Sequence, residues 1–137
     1  MDNASFAEFV DRTLHTPNRH HTHDISPSIQ AELMSHLTYL AADLTDQSSY
    51  AKLSEVLAQS PKNRLFYLAT FPSLYESIFH NLKSANLINE TNGYWVRLMI
   101  EKPIGHDEDS ARELNFLLTS HFREDQLFQN MPGEQQE

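Results

Sequence analysis

The most chemically suggestive residues are Glu101, Lys102 and Pro103, which abruptly end the apolar run in "WVRLMIEKPIGHD", residues 95–107. A lysine ammonium is a compact point charge able to meet a phosphate or a developing alkoxide, and a neighbouring proline restrains the backbone that carries it. If the run is a strand of a parallel sheet, Lys102 stands at its carboxyl end, where open α/β sheets take ligands in a crevice. The same residues also fit a solvated strand exit in which the charges pair with Asp107 or Asp109.

Histidine offers a second kind of chemistry. "RHHTHD" places His20, His21, His23 and Asp24 within five residues, a cluster that could hold a transition metal loosely. A structural zinc site instead uses four defined ligands in more separated pairs, so a solvated polar loop is the better reading and no metal site is assigned. His80, His106 and His121 are isolated and read as solvent-facing. A Ser-His-Asp hydrolase needs a nucleophile elbow, and Gly93, Gly105 and Gly133 frame no serine. The aromatic pairs Phe6 with Phe9 and Tyr75 with Phe79 read as core packing.

The elements that would position these groups come from 137 residues, enough for one core. With 19 acidic against 10 basic residues the formal charge is −9, and no segment gathers cations, which argues against nucleic acid or an anionic membrane as a partner. The first residues are acidic where a signal peptide is basic, and no apolar run approaches roughly 18 residues. A soluble, cytoplasmic protein is therefore expected. Cysteine is absent, excluding disulfides and thiolate chemistry.

Apolar spacing predicts a helix over 5–14 with Phe6, Phe9, Val10 and Leu14 on one face and Asn3 or Ser5 as cap. "HTPNRHHTHDISPS" reads as a loop, after which Ser28 caps a second helix with Ile29, Leu33 and Leu37 inward. "TYLAADL" is an ambiguous extended candidate. Thr45 or Asp46 caps a third helix bearing Tyr50, Leu53, Val56 and Leu57. "RLFYLAT", residues 64–70, predicts a buried strand, and Pro72 opens a helix with Leu74, Ile78, Phe79 and Leu82 inward. "YWVRLMI" is the second strand. Two apolar strands flanking a helix argue for a parallel βαβ unit covered on both faces, an α/β fold. A last helix starts near Asp107, where acids suit the positive end of its dipole, with Ala111, Leu114, Leu117, Leu118 and Phe122 inward.

"NRLFYLATFPSLYESIFHNL", "WVRLMIEKPIGHDEDSARELN" and "FREDQLF", in this order and spacing, resemble glucose-6-phosphate dehydrogenase. The likeness runs over roughly residues 28–128, more weakly upstream of the first block. It implies a partial Rossmann-like, doubly wound domain over residues 1–128, with 129–137 a disordered tail. It further implies glucose 6-phosphate as substrate and NADP as coenzyme, with hydride transfer yielding 6-phosphogluconolactone in the pentose phosphate pathway. On the same basis Lys102 contacts both sugar phosphate and nicotinamide, Pro103 is its neighbouring proline, often cis in the family, and Tyr67 lies beside the coenzyme. The family usually carries two prolines after the first strand. Here Phe71 precedes Pro72, which predicts a different backbone at the coenzyme edge.

Three family features have no counterpart in residues 1–137. The scattered glycines cannot assemble a glycine-rich phosphate loop. After "FREDQLF" the phosphate-gripping motif is replaced by "QNMPGEQQE", and the segment with the catalytic histidine base is missing. The expectation is negligible turnover alone, and exposed sheet edges that favour self-association or a complementary chain. The alternatives are a non-catalytic remnant or interaction module derived from that enzyme, and a metal binder built on the histidine loop.

Overall fold

The computed structural model describes residues 1–15, 26–59, 62–90, 93–100 and 108–129, which divide into two units, Met1–Ala42 and Asp43–Glu137. In the first unit, α1 spans Asn3–Leu14 and α2 spans Pro27–His36. The cap of α1 is Asp2, neither of the two residues predicted. Its carboxylate accepts from the Ser5 backbone N–H at 2.9 Å, while the Ser5 hydroxyl accepts from the Asp2 N–H at 2.9 Å. This reciprocal box satisfies two backbone donors that a helix start leaves open. Phe6 stacks on Tyr39 with ring centroids 5.0 Å apart, whereas Phe9 is exposed.

The second helix departs further from expectation. It begins after Ser26 with Pro27 in its first turn, not at Ser28. Ile29 and Leu33 are exposed, and Gln30, Met34 and Leu37 are the half-buried positions. "TYLAADL" is not a strand.

In the second unit, α3 spans Gln47–Ala58, β1 Arg64–Leu68, α4 Tyr75–Ser84, β2 Val96–Ile100, α5 Glu108–His121 and β3 Leu127–Gln129. Asp46 caps α3, accepting from the Ser48 N–H at 3.0 Å. Tyr50 is buried and Leu53, Val56 and Leu57 are half-buried, the stripe expected from spacing. Pro72 opens a 3-10 turn, Pro72–Leu74, that leads into α4. Its fixed φ suits a helix start, where its missing N–H costs nothing. Phe71 has φ −67° and ψ 138°, values a proline would take. The backbone there matches what the missing second proline would impose, contrary to the change expected.

Helix α4 buries Tyr75, Ile78, Phe79, Asn81 and Leu82. Burying a side chain the size of Phe79 contributes about 1.5–3 kcal/mol. The helix stops at Asn86, whose φ of 59° is left-handed. The Leu87 N–H donates to the Leu82 carbonyl at 2.9 Å and the Asn86 N–H to that of Lys83 at 3.0 Å. Those bonds occupy carbonyls a helix end would leave unpaired. Leu87 and Ile88 then enter the core.

The sheet has the order β1-β2-β3, all parallel. β1, α4 and β2 form the expected βαβ unit; β3 has no counterpart in the sequence prediction. Gln129, assigned from sequence to the tail, is its last residue. Leu98 and Ile100 are buried in the core with residues of α4 and α5, and Val96 is buried on the same side of β2. β1 is open on one face, while β2 alternates buried with half-buried residues. Leu65 is 52% exposed and Tyr67 49%, so β1 alternates rather than being buried throughout. Along α5, Leu118 and the following Phe122 are buried and Leu114 and Leu117 half-buried, but Ala111 is exposed. No described helix is long and apolar enough to cross a membrane.

Candidate functional site

The three parallel strands end side by side at Leu68, Ile100 and Gln129, the end of an open α/β sheet at which ligands generally bind. Tyr67 is one residue short of that end on β1. Its register partner is Met99 on β2, whose own partner on β3 is Phe128. Because side chains alternate along strands and matched residues share a face, Tyr67, Met99 and Phe128 form a row across one side of the sheet. Tyr67 and Phe128 are each 49% exposed, and Met99 is half-buried. An apolar row of this kind offers a flat surface to a ring, with polar backbone groups of the strand ends close by.

Lys102 and Pro103, the other two residues assigned from sequence, lie outside the described residues, as does the geometry of their peptide bond. Tyr67 is therefore the one predicted site residue that can be placed. The sequence reading missed Met99 and Phe128. Their role in the row depends on the pairing of β2 with β3, which no local pattern in "QLFQ" announces. The motif block "FREDQLF" marked the segment but not its conformation.

At the opposite, amino end of the sheet lies a charged network that the sequence reading also missed. Glu90 Oε1 accepts from the Val96 N–H at 2.8 Å and from Arg97 Nη1 at 2.5 Å, while Oε2 accepts from Arg123 Nη2 at 2.5 Å. Arg123 also bonds Asp125 through Nε at 3.0 Å. The Arg123 guanidinium first, then the Val96 N–H and Arg97, hold the Glu90 carboxyl at about 2, well below its ordinary 4.5. Asp125 is likewise lowered, chiefly by Arg123. Nearby, Lys62 Nζ sits 5.1 Å from the Tyr94 ring centroid and the Arg97 guanidinium 5.8 Å from that of Trp95, distances suited to cation–π attraction.

The histidines divide. His80 is exposed, but His121 is half-buried, its Nδ1 hydrogen-bonded to the Leu117 carbonyl at 3.0 Å. Both line one groove of about 330 Å³ with Thr45, Glu76, Ser77 and Asn81. Among the described residues no three histidines or acids come together as metal ligands. The His20, His21, His23 and Asp24 cluster and His106 fall outside the described residues.

Comparison with known proteins agrees with this architecture. Residues 1–129 match the family model described as glucose-6-phosphate dehydrogenase, NAD binding domain. The chain is 41% identical over 103 residues to glucose-6-phosphate 1-dehydrogenase of Bacillus subtilis, covering 71% of this chain and 21% of that protein. Against the enzyme of Leuconostoc mesenteroides it is 42% identical over 106 residues, again 21% of the relative. Among solved structures, glucose-6-phosphate 1-dehydrogenase from Mycobacterium avium superposes with a TM-score of 0.78 at 29% identity, covering 94% of this chain and 26% of that one. A glucose-6-phosphate dehydrogenase in complex with its substrate glucose-6-phosphate gives 0.71 at 29%, covering 94% and 27%. The chain thus spans about a fifth to a quarter of the length of these relatives. With a three-stranded parallel sheet, a βαβ core and a family match over nearly its whole length, the chain belongs to the glucose-6-phosphate dehydrogenase family, within its Rossmann-like NAD binding domain.

Proposed function

We propose that this chain contributes part of the coenzyme and substrate site of an NADP-dependent glucose-6-phosphate dehydrogenase. The observation that carries the reading is the match of residues 1–129 to the family's NAD binding domain. The half-exposed row of Tyr67, Met99 and Phe128 beside the strand ends supports it. In this reading Tyr67 and Pro103 border the NADP nicotinamide half. Lys102 supplies a positive charge shared between the coenzyme and the phosphate of glucose 6-phosphate, orienting C1 toward the nicotinamide. Bound NADP would supply the hydride acceptor for oxidation at C1, and a general base would take the hydroxyl proton. Residues 1–137 provide neither that base nor a glycine-rich phosphate loop, so turnover requires a polypeptide that supplies both.

Titration calorimetry of the chain with NADP, NAD and glucose 6-phosphate tests the reading. Saturable binding of NADP is expected, weakened about tenfold or more in Lys102→Ala, the loss typical of a charged hydrogen bond. A folded chain giving no heat with any of the three would refute it.

A second reading is favoured by one feature. Parallel sheets normally have both faces covered, yet Leu65, Tyr67 and Phe128 stand half-exposed on one side. A non-catalytic interaction module would use this face for self-association or for a complementary chain. A concentration-dependent oligomer that forms without ligands, together with absent NADP binding, distinguishes it.

A further inference from the structure

We propose that Glu90 sets the register of β3 on β2 and is thereby a positioning residue for the ligand crevice; the second half of this statement rests on the binding role argued above.

The carboxylate serves one strand with each oxygen. Oε1 takes the Val96 N–H and the Arg97 guanidinium at the start of β2, and Oε2 takes the Arg123 guanidinium ahead of β3. Arg123 transmits that restraint to β3 through a tight turn. Its backbone N–H donates to Gln126 Oε1 at 3.1 Å, and the Gln126 N–H donates to the Arg123 carbonyl at 3.0 Å. Gln126 is buried and directly precedes Leu127, the first residue of β3. Arg97 directly precedes Leu98, the register partner of Leu127. One side chain therefore holds Arg97, immediately upstream of Leu98, and, through the Arg123–Gln126 turn, restrains the residue immediately upstream of Leu127.

Such a pin is needed because β3 has three residues and parallel pairing is weak per residue. A slip of two residues would keep Leu127 on the core side and Phe128 on the other, so burial alone does not forbid it. It would nevertheless move everything after Gln129 by about 7 Å along the sheet, at about 3.3 Å per residue. It would also separate Phe128 from Met99 and Tyr67. A crevice with parts on all three strand ends would not survive that displacement.

Glu90→Gln offers one acceptor oxygen in place of two, and Arg123→Ala removes only the β3 arm. Amide hydrogen exchange by NMR on both variants and the parent, paired with NADP titration well below the melting temperature, tests the proposal. Protection of the Phe128 amide should fall about tenfold or more, or its NOEs to Met99 be lost, while β1 and β2 stay protected, and NADP affinity should fall with it. Unchanged Phe128 protection together with retained Phe128–Met99 NOEs in folded Arg123→Ala overturns the register role. So does joint loss of β1–β2 protection, because the network would then support the whole sheet. Lost β3 protection with unchanged NADP affinity overturns the positioning half alone. A parent that is folded but binds no NADP defeats the functional reading and leaves the register result standing.

Discussion

The Phe79 ring on α4 meets Phe122, just past α5, edge to face, with centroids 5.2 Å apart and planes at 82°. Phe79 is wholly buried and also lies 5.7 Å from the Tyr75 ring. This aromatic contact joins the helix of the βαβ unit to the helix that follows β2. Phe79→Ala should destabilise the chain by about 3–5 kcal/mol, combining lost transfer energy with the cavity left behind. Phe79→Leu should cost much less. Urea unfolding followed by circular dichroism measures both, and equal small losses would show that the ring is not part of the core.

Asn81 is buried on α4, and its amide donates to the carbonyls of Leu44 and Thr45, each at 3.4 Å. Tyr50 Oη donates to the same Leu44 carbonyl at 2.9 Å. Asn81→Leu should cost about 1–3 kcal/mol by leaving buried acceptors short of donors, while Tyr50→Phe should cost about 0.5–1.5 kcal/mol. A double-mutant cycle in thermal melts should give a non-additive sum, since both donors share one carbonyl.

Acid should weaken the chain through Glu90. Its folded value is about 2 against an ordinary 4.5, so between these values the unfolded state binds more protons. The stabilisation is fully present above the ordinary value and is lost as pH falls toward the folded one. The gap in melting temperature between parent and Glu90→Gln should therefore be constant above pH 4.5 and close as pH approaches 2. A gap independent of pH would show that ionisation of Glu90 is not what holds the network.

Phe71 is 78% exposed and already holds φ −67°. Phe71→Pro should be tolerated and should raise stability by about 0.4–1 kcal/mol, mainly by restricting the unfolded chain. A drop in the melting temperature would show that Thr70 cannot take the extended backbone that a following proline demands.

Tyr67→Ala should lower NADP affinity several-fold while changing stability by less than about 1 kcal/mol, since the ring is half-exposed. Calorimetry alongside a thermal melt separates the two effects. Loss of folding with no selective loss of affinity would make Tyr67 a packing residue.

Much of this was legible before any coordinates. Asp46 as a cap, the inward stripe of α4 and the parallel βαβ unit all follow from local periodicity and from residue types with strong backbone preferences. The second helix shows the limit. Ile29, Leu33 and Leu37 repeat at helical spacing, but spacing names a stripe without saying whether anything packs on it, and Ile29 and Leu33 are exposed. In β1 an unbroken apolar run concealed the alternation between half-buried Phe66 and the more exposed Tyr67. The motif around Lys102 was legible as a resemblance, and its geometry lies outside the described residues.

The sequence by itself determined the α/β class, the family and the residues to suspect, because backbone preference, amphipathic period and motif spacing are properties of neighbours along the chain. Only tertiary structure decided that Leu127–Gln129 is a strand, that Tyr67, Met99 and Phe128 stand in one row, and that Glu90 ties Arg97 to Arg123. The Glu90–Arg123 pair is separated by 33 residues, and a three-residue strand has too little local signal to announce itself. These relationships exist only once β2 supplies the pairing partner.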